Sequence, residues 1–177
     1  RLRGRRIPAD QLSIGQVALR KLSAGEAATM DVRVRSKNGV NRRTAPGVYA
    51  AARKAAAPYP NDPRAQIVLA ETAYDARDYA AAEAAADRAL AADPKLVDGY
   101  VYKAMTRMAL AAKAGDKSKE SWVAIRKIIA SGNRIDPDDP GPLILYYQSF
   151  LAADQAPNEN AQKGLARAFE LAPQDDT

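Results

Sequence analysis

The sequence predicts a mainly α protein, a row of antiparallel helix pairs preceded by a small N-terminal β-strand segment. Three observations predict it. Residues 63–94, PRAQIVLAETAYDARDYAAAEAAADRALAADP, read as one helix, a tight turn at Arg77-Asp78 and a second helix stopped by Asp93-Pro94. Ala70, Ala82 and Ala89 fall where paired helices would touch, with Leu69, Tyr79 and Leu90 as the bulk between them. Pro60, Pro94, Pro137 and Pro173 are separated by 34, 43 and 36 residues, and each marks a boundary because Pro cannot continue a helix. Finally, the 47% hydrophobic content comes largely from Ala, with two Phe and one Trp, which favours many close-packed helices. A chain of 177 residues buries roughly 70% of its unfolded surface, enough for one continuous core.

The elements follow in order. Residues 1–9, RLRGRRIPA, carry four arginines without a hydrophobic period. They read as a solvated linker or a strand of an upstream domain, with an arm for nucleic acid or an acidic partner as the alternative. From Leu12 to Leu22 the pattern alternates in part, with Val17 and Leu19 on one side, and Ser23-Ala-Gly-Glu26 is a capping box that opens one helical turn. Met30 to Ser36 alternates cleanly and reads as a half-buried strand with Met30, Val32 and Val34 inward. Asn38-Gly39 is a turn signal. A small two-stranded unit over 13–36, leaning on the helices, is the expectation.

Thr44 is placed to cap the next helix, with Pro46 in its first turn, and that helix runs to about Ala57. Helix pairs follow at 63–76 and 79–92, 96–112 and 119–134, and 140–153 and 159–171. The nine surplus residues of the 43-residue unit fit an enlarged turn at KAGDKSKE, 113–120. Trp122, Ile125, Ile128 and Ile129 form an apolar stripe, so Trp122 reads as core, with a ligand platform as the alternative. Domain organisation is therefore a basic segment over 1–44, a stub of or linker from an upstream domain, and a helical domain over 45–177. The latter holds a half unit at 45–60 and units at 61–94, 95–137 and 138–173.

The 34-residue period and the series Gln66, Leu69-Ala70, Ala73, Ala82, Ala86 and Pro94 resemble the tetratricopeptide repeat (TPR). Tyr100, Ala104, Ile129 and Gly132 match in the second unit, and Phe150, Ala161, Leu165 and Ala168 in the third, where Tyr147 stands in place of a small residue. Upstream, Val48, Ala52 and Ala55 read as the second helix of a repeat whose first helix is absent or replaced. The resemblance covers about residues 45–173 and implies a right-handed superhelix whose first helices line a concave groove. It also implies the lining: Ile67, Glu71, Tyr74 and Asp75 from the first hairpin, Val101, Met105 and Met108 from the second, Ile144, Gln148 and Leu151 from the third. Such a groove is apolar with an acidic corner, and either receives a protein segment or is filled by residues 1–44. The Lys/Asn clamp with which some members hold a C-terminal carboxylate is not evident.

Composition narrows the chemistry. With no Cys and no His, thiolate nucleophiles, disulfides, imidazole bases and Cys/His metal clusters are excluded. GDK at 115–117 lacks the glycines of a phosphate loop, and Asp136, Asp138 and Asp139 beside prolines read as turn and cap residues rather than a metal site. No catalytic residue, cofactor or metal is expected. No apolar run approaches about 20 residues, so no membrane span is expected. Arg1 reads as a processing boundary, which leaves a bacterial cytoplasm or periplasm open. Residues 1–60 hold 13 Lys/Arg against 3 Asp/Glu, and residues 61–177 hold 14 against 18, so the net +6 comes from the N-terminal third.

The leading function is a non-catalytic scaffold that binds a protein or peptide, or another domain of its parent. The alternatives are a C-terminal accessory region of a larger bacterial enzyme, of the zinc-peptidase-like kind, and nucleic-acid binding through the basic segment. Lys113, Lys117 and Lys119 are a second candidate contact, or a solvated loop. Because LAPQDDT stops at a repeat boundary, either Leu165, Phe169 and Leu171 are partly exposed or more repeats follow, and self-association stays open.

Overall fold

Residues 22–37 and 40–171 are described by the computed structural model of the chain. They form α1 (Ala24–Lys37), α2 (Ala45–Ala56), α3 (Pro63–Asp75), α4 (Tyr79–Ala92), α5 (Val97–Ala114), α6 (Lys119–Ile135), α7 (Pro140–Ala152) and α8 (Glu159–Leu171). Each helix packs on the next along the chain. In addition α1 touches α3, α3 touches α5 and α5 touches α7, whereas among the described residues no two even-numbered helices touch. Odd helices crowded together and even helices splayed apart make a curved array, with α1, α3, α5 and α7 on its inner side.

The starts of the helices are set by polar caps that occupy otherwise unpaired N–H groups. Asp62 Oδ1 accepts from Arg64 N and Ala65 N at 3.0 Å each, and Pro63 follows where its missing N–H is harmless. Asp78 opens α4, Asp139 with Pro140 opens α7, and Asn158 opens α8. At α2 the expected Thr44 side-chain cap is absent. The carboxamide of Asn41 accepts from Arg43 N and Thr44 N instead, and Thr44 Oγ1 accepts from Asn41 N.

One turn closes the last three hairpins. Arg77, Gly115 and Asp154 take the left-handed conformation, with φ of 61, 65 and 56°. The next N–H in each case, of Asp78, Asp116 and Gln155, then donates 2.9 Å to the carbonyl five residues back, on Ala73, Ala111 and Phe150. This corrects the enlarged turn expected at 113–120. The surplus lengthens the helices: α5 has 18 residues where α3 has 13, and α6 has 17 where α4 has 14.

The expected strand at 30–36 is likewise corrected, because these residues continue α1. Gly25, Glu26, Thr29 and Val32 are buried at helical spacing, Met30 is exposed, and Val32 packs on Ala52 and Val68. The alternation MDVRVR had only one buried valine to follow among its described side chains, and docking on α2 and α3 overrides the local β preference. Ser23 Oγ accepts from Glu26 N at 3.1 Å, so the capping box opens a 14-residue helix rather than a single turn. Hence α1 is the first helix of the hairpin whose second helix is α2. The 13–21 part of the expected sheet and the Asn38-Gly39 turn lie outside the described residues.

Two sites test this account. Gly25 N donates to Asp62 Oδ2 at 3.2 Å, joining the start of α1 to that of α3, and a Cβ on Gly25 would sit 2.6 Å from Asp62 Cγ. Burial alone would raise the Asp62 carboxyl, but hydrogen bonds from the Ser23 hydroxyl and from the N–H groups of Ala65, Gly25 and Arg64 hold it below its ordinary 3.8. Its stabilisation is therefore full above that value and lost as pH falls through the lower folded one. Asp62→Ala is expected to cost about 1–2 kcal/mol in urea unfolding at neutral pH, with the gap to the parent chain closing in acid. A gap independent of pH would contradict the assignment. Separately, Arg77→Gly should stabilise by about 1 kcal/mol, since glycine takes φ of 61° without strain; a lower melting temperature would refute that turn geometry.

Candidate protein-interaction face

The inner side of the array divides into a polar part on α1, α3 and the start of α5, and an apolar part on α5 and α7. In the polar part Arg33 of α1 reaches across two helices. Its guanidinium lies 3.6 Å from Glu71 Oε2 on α3 and 3.4 Å from Asp98 Oδ2 on α5. Glu71 is only 7% exposed and lies beside the phenol of Tyr102. Burial first, and then the Glu71 carboxylate, push that phenol far above its ordinary value, so it stays protonated. Arg33 Nε and Glu71 Oε2 make no hydrogen bond of their own, so the pair holds mainly by charge. Tyr74 stands at the C-terminal end of α3, its ring 5.6 Å from that of Tyr79, and Asp75 beside it is exposed.

Not all of the implied lining reaches solvent. Ile67 is 0% exposed and packs beneath the face on Ala89, Leu96 and Tyr102, while Glu71 belongs to the ion cluster. Val101, Met105 and Met108 are half-buried on the core of Trp122, Ile125, Ile129 and Leu145. On α7 Ile144 and Gln148 are exposed and Leu151 is 53% exposed. These six residues share two helices that pack on each other. Large apolar side chains therefore remain in water on α7.

Sequence reasoning missed Arg33, Asp98 and Tyr102. Arg33 was hidden by the strand reading, and polar Glu26 and Thr29 at buried helical positions left no apolar period to reveal the helix. Trp122 is fully buried and donates from Nε1 to Asp116 O at 2.8 Å, which makes it core rather than platform. Lys117 is no free loop cation: Nζ donates to Ala152 O at 2.7 Å and meets Asp154 at 2.9 Å, tying the second turn to the third. Asp136 accepts from Asp138 N, Asp139 caps α7 and Asp138 pairs with Arg167. Phe169 is 60% exposed, with Leu165 and Leu171 half-buried. Among the described residues no helix is long and apolar enough to cross a membrane.

Curved pairing of this kind defines a TPR-like helical array. The particular resemblances bear this out at the level of fold. The crystal structure of MamA protein superposes with a TM-score of 0.58 at 14% identity, over 83% of this chain and 72% of that one. A MamA RS-1 ArsTM double mutant gives 0.56 at 16% identity, over 85% and 78%. YrrB, described as a TPR protein with an unusual peptide-binding site, gives 0.54 at 14% identity, over 85% and 71%. No protein-family model matches the chain, and no curated protein does.

The ion cluster makes its own prediction. Arg33→Ala leaves Glu71 buried without its cation and is expected to cost on the order of 3 kcal/mol. Replacing both, as Arg33→Met with Glu71→Leu, should restore most of that loss in thermal unfolding. If the double variant is as unstable as the single, the cost arises elsewhere.

Proposed function

We propose that the chain is a non-catalytic scaffold whose inner face binds a segment of another protein or of a neighbouring domain. The observation that carries this reading is the exposure of Ile144 and Leu151 beside half-buried Val101, Met105 and Met108 on the inner helices. A partner segment that lays apolar side chains on α5 and α7 would bury this surface. The likeness to YrrB supports the reading through fold alone.

A photo-crosslinking amino acid tests the proposal when placed at Leu151 and, as a control on the outer side, at exposed Val123 of α6. In the cells that make the protein, a discrete adduct is expected from Leu151 only, and Ile144→Glu should abolish it without lowering the melting temperature. Equal labelling from Val123, or a Leu151 adduct indifferent to Ile144→Glu, would remove the basis for the inner-face site.

A further inference from the structure

The outer side of the array holds a cleft of about 370 Å³ between α2, α3 and α4, distinct from the inner face. Its floor is apolar, made by Leu69, Ala81, Ala85 and Ala56, and its polar groups are Tyr49, Arg53, Gln66 and Arg88. Among the described residues no Asp or Glu lines it, and neither Arg53 nor Arg88 meets a carboxylate within 4.0 Å. Two uncompensated guanidiniums opening on one cleft set a positive potential there.

The two arginines are held in place, one of them by a buried residue. Gln66 is 3% exposed; its Nε2 donates to Pro60 O at 3.0 Å and its Oε1 accepts from Arg88 Nε at 2.8 Å. That bond uses Nε and leaves both terminal nitrogens without a hydrogen-bond partner among the described residues. Arg53 lies 5.9 Å from the centroid of the Tyr49 ring, within cation–π range. A buried amide that aims an arginine and an aromatic that holds a second one make a more ordered arrangement than surface cations generally have. A neighbouring cleft of about 360 Å³ between α5 and α6 lacks these features, since its Arg107 is paired with Glu83 and Asp116 lines it too.

The geometry points to this cleft as a binding site for an organic anion: a carboxylate carrying an apolar or aromatic group of side-chain size. The carboxylate takes the planar fork of Arg88 with Arg53 opposite, and the apolar group covers Leu69 and the alanines. Such a group is either a small free acid or the free C-terminus of a polypeptide. Phosphate alone would satisfy the arginines and leave the floor wet.

The alanine floor supplies the probe. With alanine methyls labelled, phenylacetate titrated into the whole chain should shift Ala56, Ala57, Ala81 and Ala85 saturably in the millimolar range, and spare Ala111 and Ala124 of the α5/α6 cleft. Phenylacetamide should leave all of them in place, and exposed Arg53→Gln should weaken phenylacetate by about tenfold. A short peptide ending in Phe, compared with its C-terminal amide, identifies the source. Tighter binding of the acid peptide than of phenylacetate assigns a chain terminus, and phenylacetate binding alone assigns a small acid. The proposal is overturned if the methyls do not move, if phenylacetamide or inorganic phosphate moves them equally, or if Arg53→Gln changes nothing.

Discussion

Close approach of helix backbones through alanine is the constraint on which this structure rests. Ala70, Ala73, Ala82, Ala85, Ala86 and Ala89 are all 0–1% exposed at the α3–α4 contact and around it. A methyl group is the largest side chain such a contact admits, and a bulkier one would force the helices apart. Thin contacts bury little area per residue, so larger side chains are placed where the hairpins meet: Ile67 and Leu96 on one side, Val68 and Val32 on the other. The α5–α6 hairpin departs from this scheme. Its core is built on Trp122, Ile125 and Ile129, with Leu145 from α7.

Close approach also explains a set of buried hydroxyls. Thr72, Thr106 and Ser149 are 0–1% exposed and occupy equivalent places on α3, α5 and α7, separated by 34 and 43 residues like the prolines. A hydroxyl is small enough for these places. Thr72 and Ser149 satisfy theirs within their own helices, donating to Val68 O at 2.7 Å and to Tyr146 O at 2.6 Å, whereas the buried Thr106 hydroxyl has no hydrogen-bond partner among the described residues. Ser149 does more, since it accepts from Arg126 Nε, and the same guanidinium donates to Ser149 O and Gln155 Oε1 and lies 3.7 Å from the Phe150 ring centroid. Arg126 thereby pins α6 to both the end of α7 and the turn after it. The third hairpin is held by this network even though Tyr147 occupies a place where a small residue was expected.

Much of the fold was legible because proline and the Asp-Pro pairs mark boundaries through local sterics alone. The limits of α4 and α8 agree with expectation to the residue, and those of α2, α3, α5, α6 and α7 to within two. What escaped was non-local. Helix α1 is helical because α2 and α3 cover one side of it, and nothing within MDVRVR announces that cover. The same holds for the inner face. Spacing placed Ile67, Met105 and Leu151 on one side of their helices, but Ile67 is covered by Ala89, Leu96 and Tyr102, Met105 packs on the core around Trp122, and only Leu151 stays exposed. Spacing says where a side chain points, and packing says whether anything remains free.

Helix α3 links the inner and outer sides of the array. Gln66 and Leu69 face the outer cleft, while Glu71 and Tyr74 stand on the inner side, within two turns of one rigid helix. Its start is fixed to α1 through Asp62 and Gly25, and its inner side to α1 and α5 through Arg33 and Tyr102. A displacement of α3 along its axis would therefore disturb both sides at once, whereas occupancy that leaves the axis in place would leave them independent. Coupling between the two faces thus requires each ligand to bind differently to two positions of this helix. Both anchors oppose such a shift, because moving α3 would break the Gly25–Asp62 hydrogen bond and leave Glu71 buried without Arg33. The physical expectation is two surfaces that act separately on a common support.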